Sequence, residues 1–525
     1  MVRWATMMVC VVGWLVLAGA VVAPLAGMAW AAAFPGGVAE RPVVLESAGV
    51  LLARSVYLAA IAAAGAILLG LWPGAVLGSA NERSLPILWG LVLAPLLIAP
   101  QIYAYAWELA SGPTGVLHGW LPGAASAGPW SGATRAGLIS AGWLWPIVAM
   151  MVGAGWRSAG RNVYALAILD TSPSGAYLRA VLPVLRHHLA AAGCLVFAVA
   201  LIEYAIPHLT LSRVWSTELL LLVDAGAPPR QIVALAMQVT LVVLVLVGAA
   251  AVSLRATTAW QAIDVDDAAE QAGRHLGSGR LARAGFVVVW LATVGLPIAA
   301  MWASIRRPSA WGEALTLFAR EWTVSLAVAA CAGLLAVALA TGTMMLYRAS
   351  GSRCLRWAPG ASLASAIVPP AALGVGFIIV FNLPGFLGDL YDRTPVVWCL
   401  SLVARYGAVA VLIAWLALGR RSIAAVEQAR VDGATSIEVL GHVLLPMLAP
   451  SLLAAGLVVM LLSLFEVVVT HLVGPVGYPS LAMTLLNHMH YGRDDVVIAT
   501  SLTACGGGLV LTLLCGWLLV RPGRT

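Results

Sequence analysis

Apolar runs of about 20 residues follow one another along almost the whole of this sequence. Each is long enough to cross the roughly 30 Å hydrocarbon core of a bilayer as a helix. A backbone in lipid must satisfy its own polar groups, so such runs dictate an all-α polytopic membrane protein. About twelve spans are expected, near 6–32, 55–79, 86–107, 136–156, 187–206, 231–254, 285–304, 322–347, 360–382, 395–418, 450–470 and 496–520. With 62% hydrophobic and 10% charged residues, the chain cannot be a soluble domain. The first run, Met7 to Ala33 behind Arg3, invites comparison with a signal peptide ending near Ala31–Ala33. It is too long for a signal core and long enough to span, so a first transmembrane helix is expected.

Every basic residue is Arg, and the formal net charge is +7. If the N-terminus starts in the cytoplasm, eighteen arginines fall in cytoplasmic segments and ten in segments on the other side. That bias sets both termini in the cytoplasm and explains the charge without nucleic acid. Many of the 21 Trp stand near span ends, where interfacial anchors belong. Of the seven Cys all but Cys354 lie in apolar runs, none with metal-ligand spacing, so neither a disulfide framework nor a zinc site is expected.

One polar stretch interrupts this pattern, Glu427 to Pro450, EQARVDGATSIEVLGHVLLPMLAP. Glu427 to Val431 is helix-forming. Gly433 breaks the helix, since Gly takes a left-handed conformation without a Cβ penalty. Thr435 and Glu438 fit a capping box that opens a second short helix. That helix is expected to stop at Leu445-Pro446, because Pro cannot continue the hydrogen-bond ladder. The result is a helix-turn-helix knob on the cytoplasmic side.

These residues resemble the cytoplasmic loop of permease subunits of binding-protein-dependent ABC importers, E-A-A-x-x-D-G-A, nine or ten residues, then x-L-P. Glu427, Ala429, Asp432, Gly433, Ala434, Leu445 and Pro446 match, and Val443 stands in the usual Ile place. Gln428 departs from the middle Ala. The resemblance implies that the knob docks on a separate ATPase. It further implies two copies of an ATP-binding cassette subunit and a periplasmic or lipid-anchored substrate-binding protein as partners, and a bacterial inner membrane as the location. No cofactor, metal or nucleic acid is implied.

The two halves repeat. Pro183 and Pro446 stand 263 residues apart, as do Glu203 and Glu466, Ser172 and Thr435, and Arg230 and Arg493. Pro100 and Pro369-Pro370 mark an early span in each half. An even number of spans between copies makes them parallel. The expected domains are a first permease repeat with its leading helix (1–254), a cytoplasmic linker (255–283), and a second repeat with its own leading helix (284–525). In the first knob Tyr164 replaces the Glu and Asp170 replaces the turn Gly, with Asp expected to take the left-handed turn. Ser172 then caps with Pro173 at N1, and Leu182-Pro183 follows.

Glu203 and Glu466 stand in apolar surroundings, which is costly unless they face protein or water. Either they line a pathway or they are structural carboxylates toward the outer face. Arg405 needs a partner that the sequence does not name. His488, His490, Asp494 and Asp495 cluster on the outer side, but a His-x-His pair on a helix points to different faces, so a loop is favoured over a metal site. The chain lacks a G-x-x-x-x-G-K-[ST] phosphate loop and any catalytic constellation.

Over its full length the chain resembles the fused, two-repeat permeases of the ferric-iron import type, through LLIAPQIYAYAW and LAMTLLNHMHYGRDDVVIATSL. Ferric iron is the implied cargo. Thiamine and phosphonate permeases share the architecture, and a secondary transporter with parallel repeats is the rival from another class.

Overall fold

The computed structural model describes residues 2–34, 47–81, 83–112, 115–118, 128–157, 161–255, 280–349, 358–418, 420–490 and 494–520. Among them every regular element is helical. Ten helices are long and apolar enough to cross a membrane. They are α1 (Thr6–Ala33), α2 (Ala48–Ser79), α5 (Trp130–Gly155), α6 (Tyr177–Ile202), α7 (Pro229–Arg255), α8 (Ala282–Ser304), α9 (Ala319–Leu346), α12 (Val396–Ala417), α13 (Ser436–Leu464) and α14 (Asp495–Leu519). Two expected spans are instead bent pairs. α3 (Leu85–Leu97) meets α4 (Pro100–Ser111) at 81°, and α10 (Ala358–Ile367) meets α11 (Pro370–Phe381) at 114°. The residue before each Pro is extended, Ala99 at φ −55°, ψ 132° and Pro369 at φ −54°, ψ 135°. A Pro ring excludes the helical conformation from its predecessor, and here the chain turns.

The chain forms two compact units that do not follow sequence order. One comprises Met1–Val44, Leu219–Thr240 and Arg307–Thr525; the other comprises Leu45–Glu218 and Leu241–Arg306. The leading helix of each half therefore packs with the opposite half. The expected linker, 255–283, lies mostly outside the described residues.

In the carboxy-terminal unit α1 crosses α9 at Gly13 and Gly342, where a Cβ on Gly13 would collide with Ala338 O. A second close crossing joins Gly27 of α1 to Gly376 of α11. Small residues let backbones approach where lipid supplies no hydrophobic drive between helices. The Trp14 indole adds a bond to Gly342 O at 3.1 Å.

In the amino-terminal unit α8 is held by polar bonds. Trp290 donates to Leu91 O (3.1 Å), Tyr103 Oη to Thr293 O (2.7 Å), and Trp145 to Thr293 Oγ1 (3.0 Å). Glu108 of α4 and Arg135 of α5 form an ion pair at 2.6 Å, with Arg135 also donating to Ser111 Oγ at 2.8 Å.

Besides Trp156–Arg157 at the end of a described stretch, the described residues hold four complete π-helical turns, at Leu17–Val22, Tyr177–Val181, Leu291–Gly295 and Val439–Leu444. Each of these four runs directly into a residue followed by Pro: Pro24, Pro183, Pro297 and Pro446. Pro lacks an N–H and its ring presses on the carbonyl four residues back. Widening the preceding turn relieves both, and the helix continues.

Candidate functional site

The knob is built as one piece with a membrane helix. Its first helix, Arg420–Val431, ends in a left-handed glycine, Gly433 at φ +86°. Gly433 N donates to Arg430 O (3.1 Å) and Ala434 N to Ala429 O (3.0 Å), the paired bonds of a Schellman turn. Glu438 then accepts from Thr435 N–H at 2.8 Å while the Thr435 side chain accepts from the Glu438 N–H, the two bonds of a capping box, and the Thr435 hydroxyl also donates to Glu438 at 2.7 Å. Glu427, Asp432 and Gly433 are exposed on this turn, Ala429 and Ala434 half-buried.

One expectation fails here. Pro446 does not end the second helix; residues Ser436–Leu464 form one continuous α13. The π turn Val439–Leu444 absorbs the Pro, so Leu445 and Pro446 lie within the helix rather than at its end. Beneath the knob Val426, Val439, Leu440 and Leu444 are buried with Met344 of α9 and line one small hollow. A push on the knob therefore reaches α13 through covalent helix and a packed seat.

The first knob has the same parts with a different turn. Helix Arg161–Ala167 closes with Leu169 N to Leu166 O, Asp170 N to Ala167 O (both 3.2 Å) and Thr171 N to Ala167 O (3.1 Å). Asp170 is exposed and is not left-handed; among the described non-glycine residues only Leu211 has positive φ. Successive three-residue bonds tighten the chain without it. Ser172 Oγ accepts from Gly175 N at 3.3 Å, as a cap should, and Leu182-Pro183 follow the π turn inside α6.

Glu203 and Glu466 do not lie in mid-helix. Each stands in the break after a long helix and binds the N-terminus of a short one, Ala205–Leu209 or Val468–Val473. Glu203 accepts from Ala205 N (2.8 Å) and Ile206 N (2.9 Å). Glu466 accepts from Val469 N (3.1 Å) and Thr470 N (2.9 Å). A carboxylate with both oxygens so engaged satisfies donors that a helix start leaves open.

Arg405, for which the sequence names no partner, reaches the break between α10 and α11. Its Nη1 donates to Ala366 O at 3.3 Å, at the open end of α10, and its guanidinium carbon stands 5.8 Å from the Tyr406 ring centre. Ser365 Oγ donates to Ala404 O at 2.8 Å beside it. In the other unit Trp143 Nε1 donates to Ile98 O at 3.0 Å, the open end of α3. No local pattern announces these donors; the only hint is the Pro that opens each break.

The cluster expected on the outer side disperses, and His488 and His490 lie at the end of a helix, Leu481–His490, rather than in the expected loop. His488 meets the Phe318 ring edge-on at 5.7 Å, Asp494 Oδ1 accepts from Val496 N, and Asp495 Oδ2 accepts from Arg307 N at 2.8 Å. The His490 side chain and Arg493 lie outside the described residues. Comparison with protein-family models, with curated proteins and with solved structures yields no match.

Proposed function

We propose that this chain is the permease subunit of a binding-protein-dependent ABC importer, with both halves of the pore fused in one polypeptide. The observation that carries the reading is the knob. An exposed helix, a glycine turn and a capped helix run without interruption into a membrane span. That is a lever: an ATPase that moves the knob moves α13. The arginine bias supports a cytoplasmic position for it, within reach of an ATPase, and both termini on that side of a bacterial inner membrane.

Recurrence supports the fused reading. Each half has a bent Pro pair, a capped helix leading through a π turn into a span, and a carboxylate capping a short helix after that span. One chain then serves two ATPase subunits, the first knob forming the second dock. The resemblance names ferric iron as the cargo. The chain itself supplies the path and the ATPase supplies the hydrolysis.

The test is co-purification of the full chain with the ABC ATPases of the source organism. Retention of an ATPase at two copies per chain, lost when residues 427–434 are replaced by a Gly-Ser linker, is the expected result. Failure of every ATPase to bind, together with uptake driven by an ion gradient alone, would make the chain a secondary transporter instead.

A further inference from the structure

Two cysteines meet on adjacent helices of the carboxy-terminal unit. Cys331 lies on α9 and Cys399 in the first turn of α12, and their side chains are within hydrogen-bonding reach of each other. Cys399 Sγ also donates to Val328 O at 3.8 Å, so its side chain spans the gap to the α9 backbone one turn before Cys331. About two turns further on the same helices touch again: a Cβ on Gly407 would stand 2.9 Å from Leu339 Cδ2. Leu339 follows Cys331 by the same eight residues by which Gly407 follows Cys399, so α9 and α12 run parallel with the cysteines in register. A disulfide needs Cα atoms within about 7 Å, and a side chain as short as Cys that reaches the facing backbone shows an approach of that order. The two thiols differ in access: Cys399 is 4% exposed, whereas Cys331 opens to the surroundings of the protein.

We propose that Cys331 and Cys399 form an oxidation site at which a peroxide closes a reversible disulfide between α9 and α12. The Cys331 sulfur attacks one peroxide oxygen: an S–O bond forms, the O–O bond breaks, and the leaving oxygen departs with the thiol proton as water or an alcohol. The Cys399 sulfur then attacks the Cys331 sulfur: the S–S bond forms, the S–O bond breaks, and the hydroxyl leaves with the Cys399 proton as water. The two thiols lose two electrons and the peroxide gains them. A reducing thiol reopens the bond by exchange. The inference stands apart from the permease reading and survives its failure.

The experiment uses the full chain in nanodiscs with its seven native cysteines. Hydrogen peroxide, which stays in water, and cumene hydroperoxide, which enters lipid, are applied separately. Remaining thiols are alkylated and the digest is read by mass spectrometry. The expected product is one peptide pair joined through Cys331 and Cys399, two hydrogens lighter than the separate peptides and separated again by dithiothreitol. Faster joining by hydrogen peroxide marks oxidant arriving from water, and faster joining by cumene hydroperoxide marks oxidant arriving through the bilayer. Both thiols still alkylated after either peroxide, Cys331 driven to sulfinic acid with no joined peptide, or other cysteine pairs joined in equal yield would overturn the proposal.

Single variants test the order of attack. Cys399→Ser should leave Cys331 as a sulfenic acid that dimedone captures, whereas Cys331→Ser should leave Cys399 unmodified. Oxidation of Cys399 in Cys331→Ser at the rate seen for the parent chain would refute the assignment of Cys331 as the attacking thiol. Should either variant fail to fold, the joined peptide in the parent chain still decides, since it needs no substitution.

Discussion

Replacing Gly433 isolates a single physical term. A Cβ built there meets no atom within 4 Å, so steric clash contributes nothing. The cost comes from the backbone, held at φ +86°, where an L-residue is strained by about 1–2 kcal/mol and a β-branched one by about 1–3 kcal/mol. The turn either keeps its shape under that strain or opens and loses the bonds Gly433 N to Arg430 O and Ala434 N to Ala429 O. The first bond joins exposed residues and the second half-buried ones, so opening is inexpensive and strain of this size is enough to drive it. At 1.4 kcal/mol per tenfold, Gly433→Val shifts the turn toward the open form by about 5- to 150-fold.

Hydrogen exchange reads this directly. In Gly433→Val the amides of residues 433 and 434 should exchange faster by about that factor, with Gly433→Ala intermediate. Gly433→Asn should stay near the parent, because Asn tolerates the left-handed region. The melting temperature should hardly move, since the seat of Val426, Val439, Leu440 and Leu444 is untouched. In the importer reading, ATPase retention should fall in the same order. Equal exchange in the Val, Asn and parent proteins would mean that the turn does not depend on positive φ.

Asp170→Val should leave both exchange and ATPase retention near the parent, because that turn has no left-handed residue to strain; a loss as large as that of Gly433→Val would sink the distinction. Arg135→Met removes one partner of a largely buried ion pair, side chains 4% and 25% exposed, and should cost about 3–5 kcal/mol, read as a lower melting temperature in detergent. Glu108→Leu with Arg135→Met should recover much of that, and a double variant as unstable as the single would contradict the charge argument. Glu203→Ala and Glu466→Ala each remove a cap of two bonds and should loosen the short helices 205–209 and 468–473 by about 0.5–2 kcal/mol. Protection of those helices unchanged in both variants would show that the carboxylates do not hold them.

The spans were legible because hydropathy over 20 residues is a local sum. The knob turn was legible because Gly433, Thr435 and Glu438 act on bonds within five residues of themselves. Asp170 shows the limit of analogy by position: it sits where the glycine sits, 263 residues earlier, yet the chain turns there by tightening its helix end. The units were not legible, because α1 and α8 find their neighbours through Gly13, Gly27 and Thr293, whose contacts are more than a hundred residues away.

Proline shows why the remaining features stayed hidden. Pro100, Pro370, Pro183 and Pro446 look alike in sequence, each inside an apolar run. At Pro183 and Pro446 the preceding turn widens and the helix goes on. At Pro100 and Pro370 the helix ends and turns by 81° and 114°. A widened turn needs no outside help, since its carbonyls still find amides along the same helix. A sharp break leaves carbonyls open in a medium without water, and each then costs several kcal/mol unless a donor reaches it. Here the donors are Trp143 for Ile98 O and Arg405 for Ala366 O, each about forty residues downstream on another helix. The choice between kink and break is thus made by a side chain far from the Pro, and no window around the Pro contains it.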